Sequence, residues 1–130
     1  MQSSFKLYTM KVKIDTKEKM HVITVEEAKL AANMTEEIKE TFLKFLEEPV
    51  ANMVVNFEKV SEIEEEPAKA FAMIQQRFYE ENHSMVFCNL QPQVSDFFDQ
   101  NGLLEILNVT PTESEAWDIV QMEEIEREYL

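Results

Sequence analysis

Apolar and polar side chains alternate along residues 8–15, YTMKVKID: Tyr8, Met10, Val12 and Ile14 fall on one side, Thr9, Lys11, Lys13 and Asp15 on the other. A period of two is that of a strand with one wet face. TKEK (16–19) reads as a hairpin loop and MHVITV (20–25) as a second strand. The period then changes. In NMTEEIKETFLKFLEE, Ile38, Phe42, Phe45 and Leu46 recur at helical intervals, and Asn33 followed by Glu36 has capping-box spacing.

NMVVNF (52–57) and SMVFCNL (84–90) are short apolar runs, as strands buried on both faces are. Between them, Pro67 is expected to open a second helix with Phe71, Ile74 and Phe78 as its apolar stripe. Pro92 starts a short helix carrying Val94, Phe97 and Phe98, and Asn101-Gly102 suits a left-handed helix end. Phe97 and Phe98 cannot both face the core, so one is expected to be partly exposed. EILNV (105–109) reads as a brief edge strand, and Thr112 with Glu115 as the capping box of a last helix through Trp117, Ile119 and Val120. The tail 121–130 can extend that helix.

The order is therefore ββ-α-β-α-β-α-β-α. Strands alternating with helices imply right-handed crossovers and a mainly parallel sheet after an opening hairpin. The expected fold class is α/β, a mixed sheet packed with about four helices. No repeat or low-complexity linker interrupts the 130 residues, which predicts a single domain over 1–130.

Composition narrows the function. The net charge of −14 argues against nucleic acid and against anionic membranes, since both need clustered Lys and Arg. A charged partner would be basic. The one cysteine, Cys88, excludes an intrachain disulfide and fits a reducing cytoplasm. No run approaches the ~18 apolar residues of a membrane helix, and the N-terminal residues lack a signal-like apolar segment. Cys88 lies mid-strand, as an inert buried thiol does. His21 and His83 stand alone, without ligand or general-base spacing, and His83 reads as a loop residue. No catalytic residue, metal site or cofactor site is predicted.

One stretch demands explanation. In SEIEEEPAKAF (61–71), Glu64, Glu65 and Glu66 stand directly before Pro67. A helix N-terminus favours acidic residues through its dipole. A fixed imitation of phosphate is the second reading. A metal site is the third and weakest, because consecutive side chains diverge and no calcium-loop pattern is present.

Taken together, MVVNFEKVSEIEEEPAKAF, FCNLQPQVSDFFDQNGLLEILNV and TPTESEAW, in this element order, resemble the STAS domain over roughly residues 8–120. That family includes bacterial anti-sigma factor antagonists and cytoplasmic domains of sulfate transporters. Its central loop runs from a strand ending in Asp, through an apolar segment, to Asp-Ser-Ser-Gly or Asp-Thr-Ser-Gly, whose first Ser or Thr is phosphorylated. Aligned on that pattern, Asn56 takes the strand Asp, Val60 the apolar position and Glu64 the loop Asp. Glu65 takes the phospho-acceptor, Glu66 the second small residue and Pro67 the glycine. The acceptor hydroxyl is missing, and Ser61 lies four positions early.

The resemblance implies a non-enzymatic protein-interaction module in bacterial regulation, without its own phospho-switch. Its partner would be an anti-sigma factor kinase or another regulatory or transport protein. The implied contact surface is Asn33, Ser61, the 64–67 loop, Ala68, Lys69 and Phe71. The alternative is a small-ligand carrier or sensor with Asn33, Asn56 and Glu65 around an apolar pocket, or a transporter-associated component.

Overall fold

The computed structural model describes residues 10–129. Its strands and helices follow in chain order: β1 (Val12–Thr16), β2 (His21–Val25), β3 (Lys29–Leu30), α1 (Thr35–Leu43), β4 (Met53–Asn56), β5 (Glu62–Ile63), α2 (Glu65–Glu80), β6 (Met85–Cys88), α3 (Pro92–Gln100), β7 (Val109–Thr110) and α4 (Glu113–Tyr129). Two short 3-10 turns, Ala32–Met34 and Lys44–Glu47, flank α1.

The main sheet has the order β1-β2-β4-β6-β7. The first pair is antiparallel, with Ile14 opposite Ile23, and the other three pairings are parallel. This is the expected mixed α/β sheet. The alternation of the central strands divides the core. Ile23, Val25, Met53, Val55, Met85 and Phe87 share one buried cluster with Ile38 and Phe42 of α1, Phe71, Ile74 and Phe78 of α2, and Phe98 of α3. Val22, Val54, Val86 and Cys88 point the other way and meet Ala116 and Val120 of α4. Helices α1 and α2 therefore cover one face, and α4 covers the other.

The C-terminal ends of α2 and α3 follow one rule. Asn82 and Gly102 have positive φ (64° and 71°). His83 N–H donates to the Phe78 carbonyl (2.9 Å), and Leu103 N–H to the Phe98 carbonyl (2.8 Å). These bonds close the last turns of α2 and α3 in the Schellman manner. Phe98 is buried and Phe97 half-buried, the division expected of them.

Several expectations need correction. Tyr8 and Thr9 lie outside the described residues, and β1 begins at Val12. Ile14, on the apolar side of the alternation, is 49% exposed. It stands on the outermost strand, in an open cleft with Thr41, Lys44, Phe45 and Glu48.

Asn33 and Glu36 form no capping box. Asn33 sits within the 3-10 turn Ala32–Met34, and Met34 precedes α1 without a side-chain cap. Phe45 and Leu46 fall in the second 3-10 turn, where Phe45 packs on the His21 ring at 4.8 Å. Pro67 does not open α2, which starts at Glu65. As the third helical residue its missing N–H is still one of the four that lack an intrahelical acceptor, so no bond is lost. Residues 105–107 form a turn rather than a strand, with Leu103 and Leu107 buried beneath it, and β7 is the pair Val109–Thr110. One arm of the Thr112–Glu115 box is present: Glu115 N–H donates to Thr112 Oγ1 (3.3 Å), but the Glu115 carboxylate accepts from that hydroxyl (2.8 Å) and not from the Thr112 backbone.

Candidate functional site

The acidic run is presented by a small second sheet that periodicity could not reveal. After β4, a turn at Glu58-Lys59 closes with Val60 N–H donating to the Phe57 carbonyl (2.9 Å). The N–H groups of Ser61 and Glu62 both donate to the Ala28 carbonyl (2.8 and 3.0 Å), and Glu64 N–H donates to that of Leu30 (2.9 Å). Strands β3 and β5 thus pair in parallel, Leu30 opposite Ile63, with both side chains buried. The chain arrives at α2 already anchored, and the buried Val60 and Ile63 hold the loop down from below.

The three glutamates then part company. Glu64 reaches back: its Oε1 accepts the Ala32 N–H at 2.7 Å and its Oε2 lies 3.6 Å from Lys29 Nζ. It ties the loop to the turn that carries Asn33. Glu65 runs forward along the helix, 2.8 Å from Lys69 Nζ. The Lys69 hydrogen bond and charge hold its carboxyl below the ordinary range, so it is ionised at neutral pH. Glu66 lines a shallow groove of about 240 Å³ between α1 and α2, with Thr35, Glu36, Lys39, Lys69, Ala70 and Met73. Among the described residues no cluster of His, Cys, Asp or Glu is arranged to hold a metal ion.

Not every residue expected at the surface is there. Ala68 and Phe71 are fully buried, and Phe71 meets the rings of Phe42 and Phe57 at 5.3 Å and Phe87 at 5.7 Å. Both face inward because they lie on the same side of α2 as Ile74 and Phe78. They fix the helix and offer a partner nothing. Asn33, Glu65, Glu66 and Lys69 are exposed and share one end of the α1–α2 layer, with Ser61 half-buried beside them. The Ser61 hydroxyl donates to the Ala28 carbonyl (3.0 Å).

Asn33, Asn56 and Glu65 do not gather around a pocket. Asn56 is buried at the end of β4, donating to Glu113 Oε1 (3.0 Å) and accepting from Glu58 N–H (2.8 Å). Its amide pins the start of α4.

His21 and Cys88 are structural. His21 Nε2 donates to the Val50 carbonyl (2.7 Å), which fixes the tautomer, and Nδ1 accepts from Thr16 Oγ1 (2.9 Å). Burial, followed by the charges of Glu113 and Glu58, pushes the Cys88 thiol up to about 12. A thiol so protonated is no nucleophile at neutral pH.

What the spacing missed is the polar seam beneath α4. Asn52 donates to Glu124 (2.7 Å) and accepts from Arg127 (3.1 Å) and from Ser84 N–H (2.8 Å). Glu123 accepts from Tyr79 (2.7 Å) and Ser84 (2.6 Å). Residues this far apart in the chain carry no local signal.

The STAS domain family model matches residues 11–116, from just before β1 into α4. The chain belongs to the STAS domain family. No curated protein matches it by sequence. Among solved structures it is similar to an anti-sigma factor antagonist from Mycobacterium paratuberculosis (TM-score 0.75, 12% identity, covering 87% of this chain and 95% of that one). It is also similar to the Bacillus cell fate determinant SpoIIAA in its phosphorylated form (TM-score 0.62, 19% identity, 85% and 99% covered). A third likeness is to the murine anion transporter Slc26a9 (TM-score 0.69, 15% identity), where 80% of this chain matches but only 18% of the transporter's length is spanned. At these identities the likeness is one of fold. No helix among the described residues is long and apolar enough to cross a membrane.

Proposed function

We propose that this chain is a non-enzymatic, cytoplasmic protein-interaction module of the anti-sigma factor antagonist kind, one domain over 1–130, with its phospho-switch position fixed as a charge. The observation that carries the reading is Glu65. It is the first helical residue of α2, exposed, and ionised through Lys69. By family resemblance this is where the switching members carry the Ser or Thr whose phosphate blocks docking. A phosphate adds about −1.5 to −2 charge, and a glutamate supplies part of that permanently.

The contact surface in this reading is Asn33, Glu65, Glu66 and Lys69, with Ser61 at its margin. Glu64 is the residue that holds the surface in shape. The partner is a regulatory protein of the anti-sigma kinase or transporter-associated type, engaged through shape and charge.

The test is phosphate transfer. Incubated with a serine kinase of the anti-sigma class and ATP, the native chain should gain no phosphate on residues 61–70. The variant with Asp-Ser-Ser-Gly in place of Glu64-Glu65-Glu66-Pro67 should gain one. Stoichiometric phosphate on Ser61 of the native chain would show that the switch is displaced rather than lost.

A further inference from the structure

The outer side of α4 is built to be covered. Ala116 and Val120 face the sheet, and Glu123, Glu124 and Arg127 bind polar groups beneath the helix. Opposite them, Met122, Ile125 and Tyr129 are 56%, 55% and 81% exposed. Single exposed apolar residues are ordinary on any protein. These three are not scattered. Their spacing of three and then four residues places them on one line of the helix, an a-d-a line one heptad long. With Met122 at a, the residues turned to the sheet occupy b, c and f, so the seam points directly away from the core.

The flanks say what would cover it. In the same register Glu126 occupies e, and Gln121 and Glu128 occupy g, while Glu115 and Asp118 continue the line of the seam toward the helix start as carboxylates; all five are exposed. Helix α4 carries seven carboxylates and one cation, and that cation, Arg127, is turned inward to Asn52 and Glu124 (3.1 and 3.0 Å). A second copy of this chain would bring one acidic α4 against another, in a chain whose net charge is −14, and that like charge opposes pairing. An anionic membrane is opposed by the same charges.

We propose that the Met122–Ile125–Tyr129 face of α4 docks an amphipathic helix of a partner protein, apolar at its a and d positions and rich in Lys or Arg at e and g. The face lies on the opposite side of the sheet from α1 and α2. It is therefore independent of the surface around Glu65, and both could be occupied at once.

The probe is a fluorescent three-heptad peptide with Ile and Leu at a and d and Lys at e and g. Controls are a scrambled peptide of the same composition and a version with Glu at e and g. Titrated into the full chain, the basic peptide should bind at least tenfold more tightly than either control. Ile125→Ser should weaken it at least tenfold, with the thermal midpoint of the chain unchanged because that side chain is outside the core. The double variant Glu126→Lys/Glu128→Lys should reverse the preference toward the Glu peptide.

Equal affinity for the scrambled peptide would mean that acidity alone attracts it, and the proposal fails. It fails equally if Ile125→Ser binds as the native chain does. Self-association abolished by Ile125→Ser would make a second copy the occupant, and sedimentation with phosphatidylcholine vesicles lost in the same variant would make it a lipid surface. Either result overturns a protein helix.

Discussion

Removing the three adjacent glutamates one at a time should give three different results, although their chemistry is the same. Glu64→Ala deletes the acceptor of the Ala32 N–H, a 2.7 Å bond to a charged oxygen. Bonds of that kind contribute about 1.5–3 kcal/mol when shielded. The Glu64 side chain is 42% exposed, so the lower part of that range applies, and its 3.6 Å contact with Lys29 adds little. A loss of about 1–2 kcal/mol is expected. Glu65→Ala removes only an exposed pair with Lys69, and Glu66→Ala only a groove-lining carboxylate, so neither should measurably move stability.

Two measurements read this out. At a urea slope of about 1–3 kcal/mol/M, Glu64→Ala should lower the unfolding midpoint by very roughly 1 M. The Ala32 amide should also exchange faster with solvent in Glu64→Ala alone, since it loses its acceptor there and nowhere else. Glu64→Gln keeps an oxygen in reach and should recover part of the protection. If Glu65→Ala destabilised as much as Glu64→Ala, or if Ala32 exchange were unchanged, the division of labour between anchor and switch position would be wrong. The acidic run would then act as a diffuse field at the helix start.

Phe71→Ala should cost about 3–5 kcal/mol, because the ring is fully buried against three others; a loss below about 1 kcal/mol in urea melts would place it at the surface after all. Cys88 should resist a thiol reagent at neutral pH until denaturant is added, and stoichiometric labelling of the folded chain would refute its burial. Glu124 is held below its ordinary value of 4.5, first by the Asn52 amide and then, against the opposing effect of burial, by Arg127. Its contribution is therefore full above that value and is lost as pH falls through the lower folded one. Glu124→Gln should narrow the difference between urea midpoints at pH 7 and pH 3, and an unaltered difference would show that the Asn52 contact carries no linkage.

The parts of the fold legible in the sequence are those with a local cause. Met53–Asn56 and Met85–Cys88 read as strands because a run buried on both faces is apolar throughout. Gly102 and the Thr112–Glu115 pair mark helix ends through the chemistry of two or three neighbouring residues. Where the cause is distant, the local residues carry no mark of it. Strands β3 and β5 are two residues each and exist only because they pair across the 31 residues between them, so neither has a periodicity to detect. Asn33 and Glu36 have the right spacing for a cap, but the turn at Ala32–Met34 is held instead by Glu64 from another segment. The misplaced cap thus has a distant cause in that carboxylate, as the missed strand pair has one in the backbone bonds from residues 61–64 to the Ala28 and Leu30 carbonyls.

The same distinction governs the candidate site. Which residues form the acidic run was plain from the letters, but which of them could meet a partner was not. Phe71 and Lys69 stand two apart, and only the helical phase, set by the Phe42, Phe57 and Phe87 rings, sends one inward and the other out. Glu64 and Glu65 are adjacent, and only the presence of the Ala32 amide on one side and Lys69 on the other makes the first an anchor and the second an exposed charge. In the function proposed above, anchor and signalling position are separate residues, so the second can change without loss of the first. Substitution at Glu65 alone should therefore alter what the loop says to a partner while leaving the loop in place. Substitution at Glu64 should release the 29–34 segment and disturb the surface whatever stands at position 65.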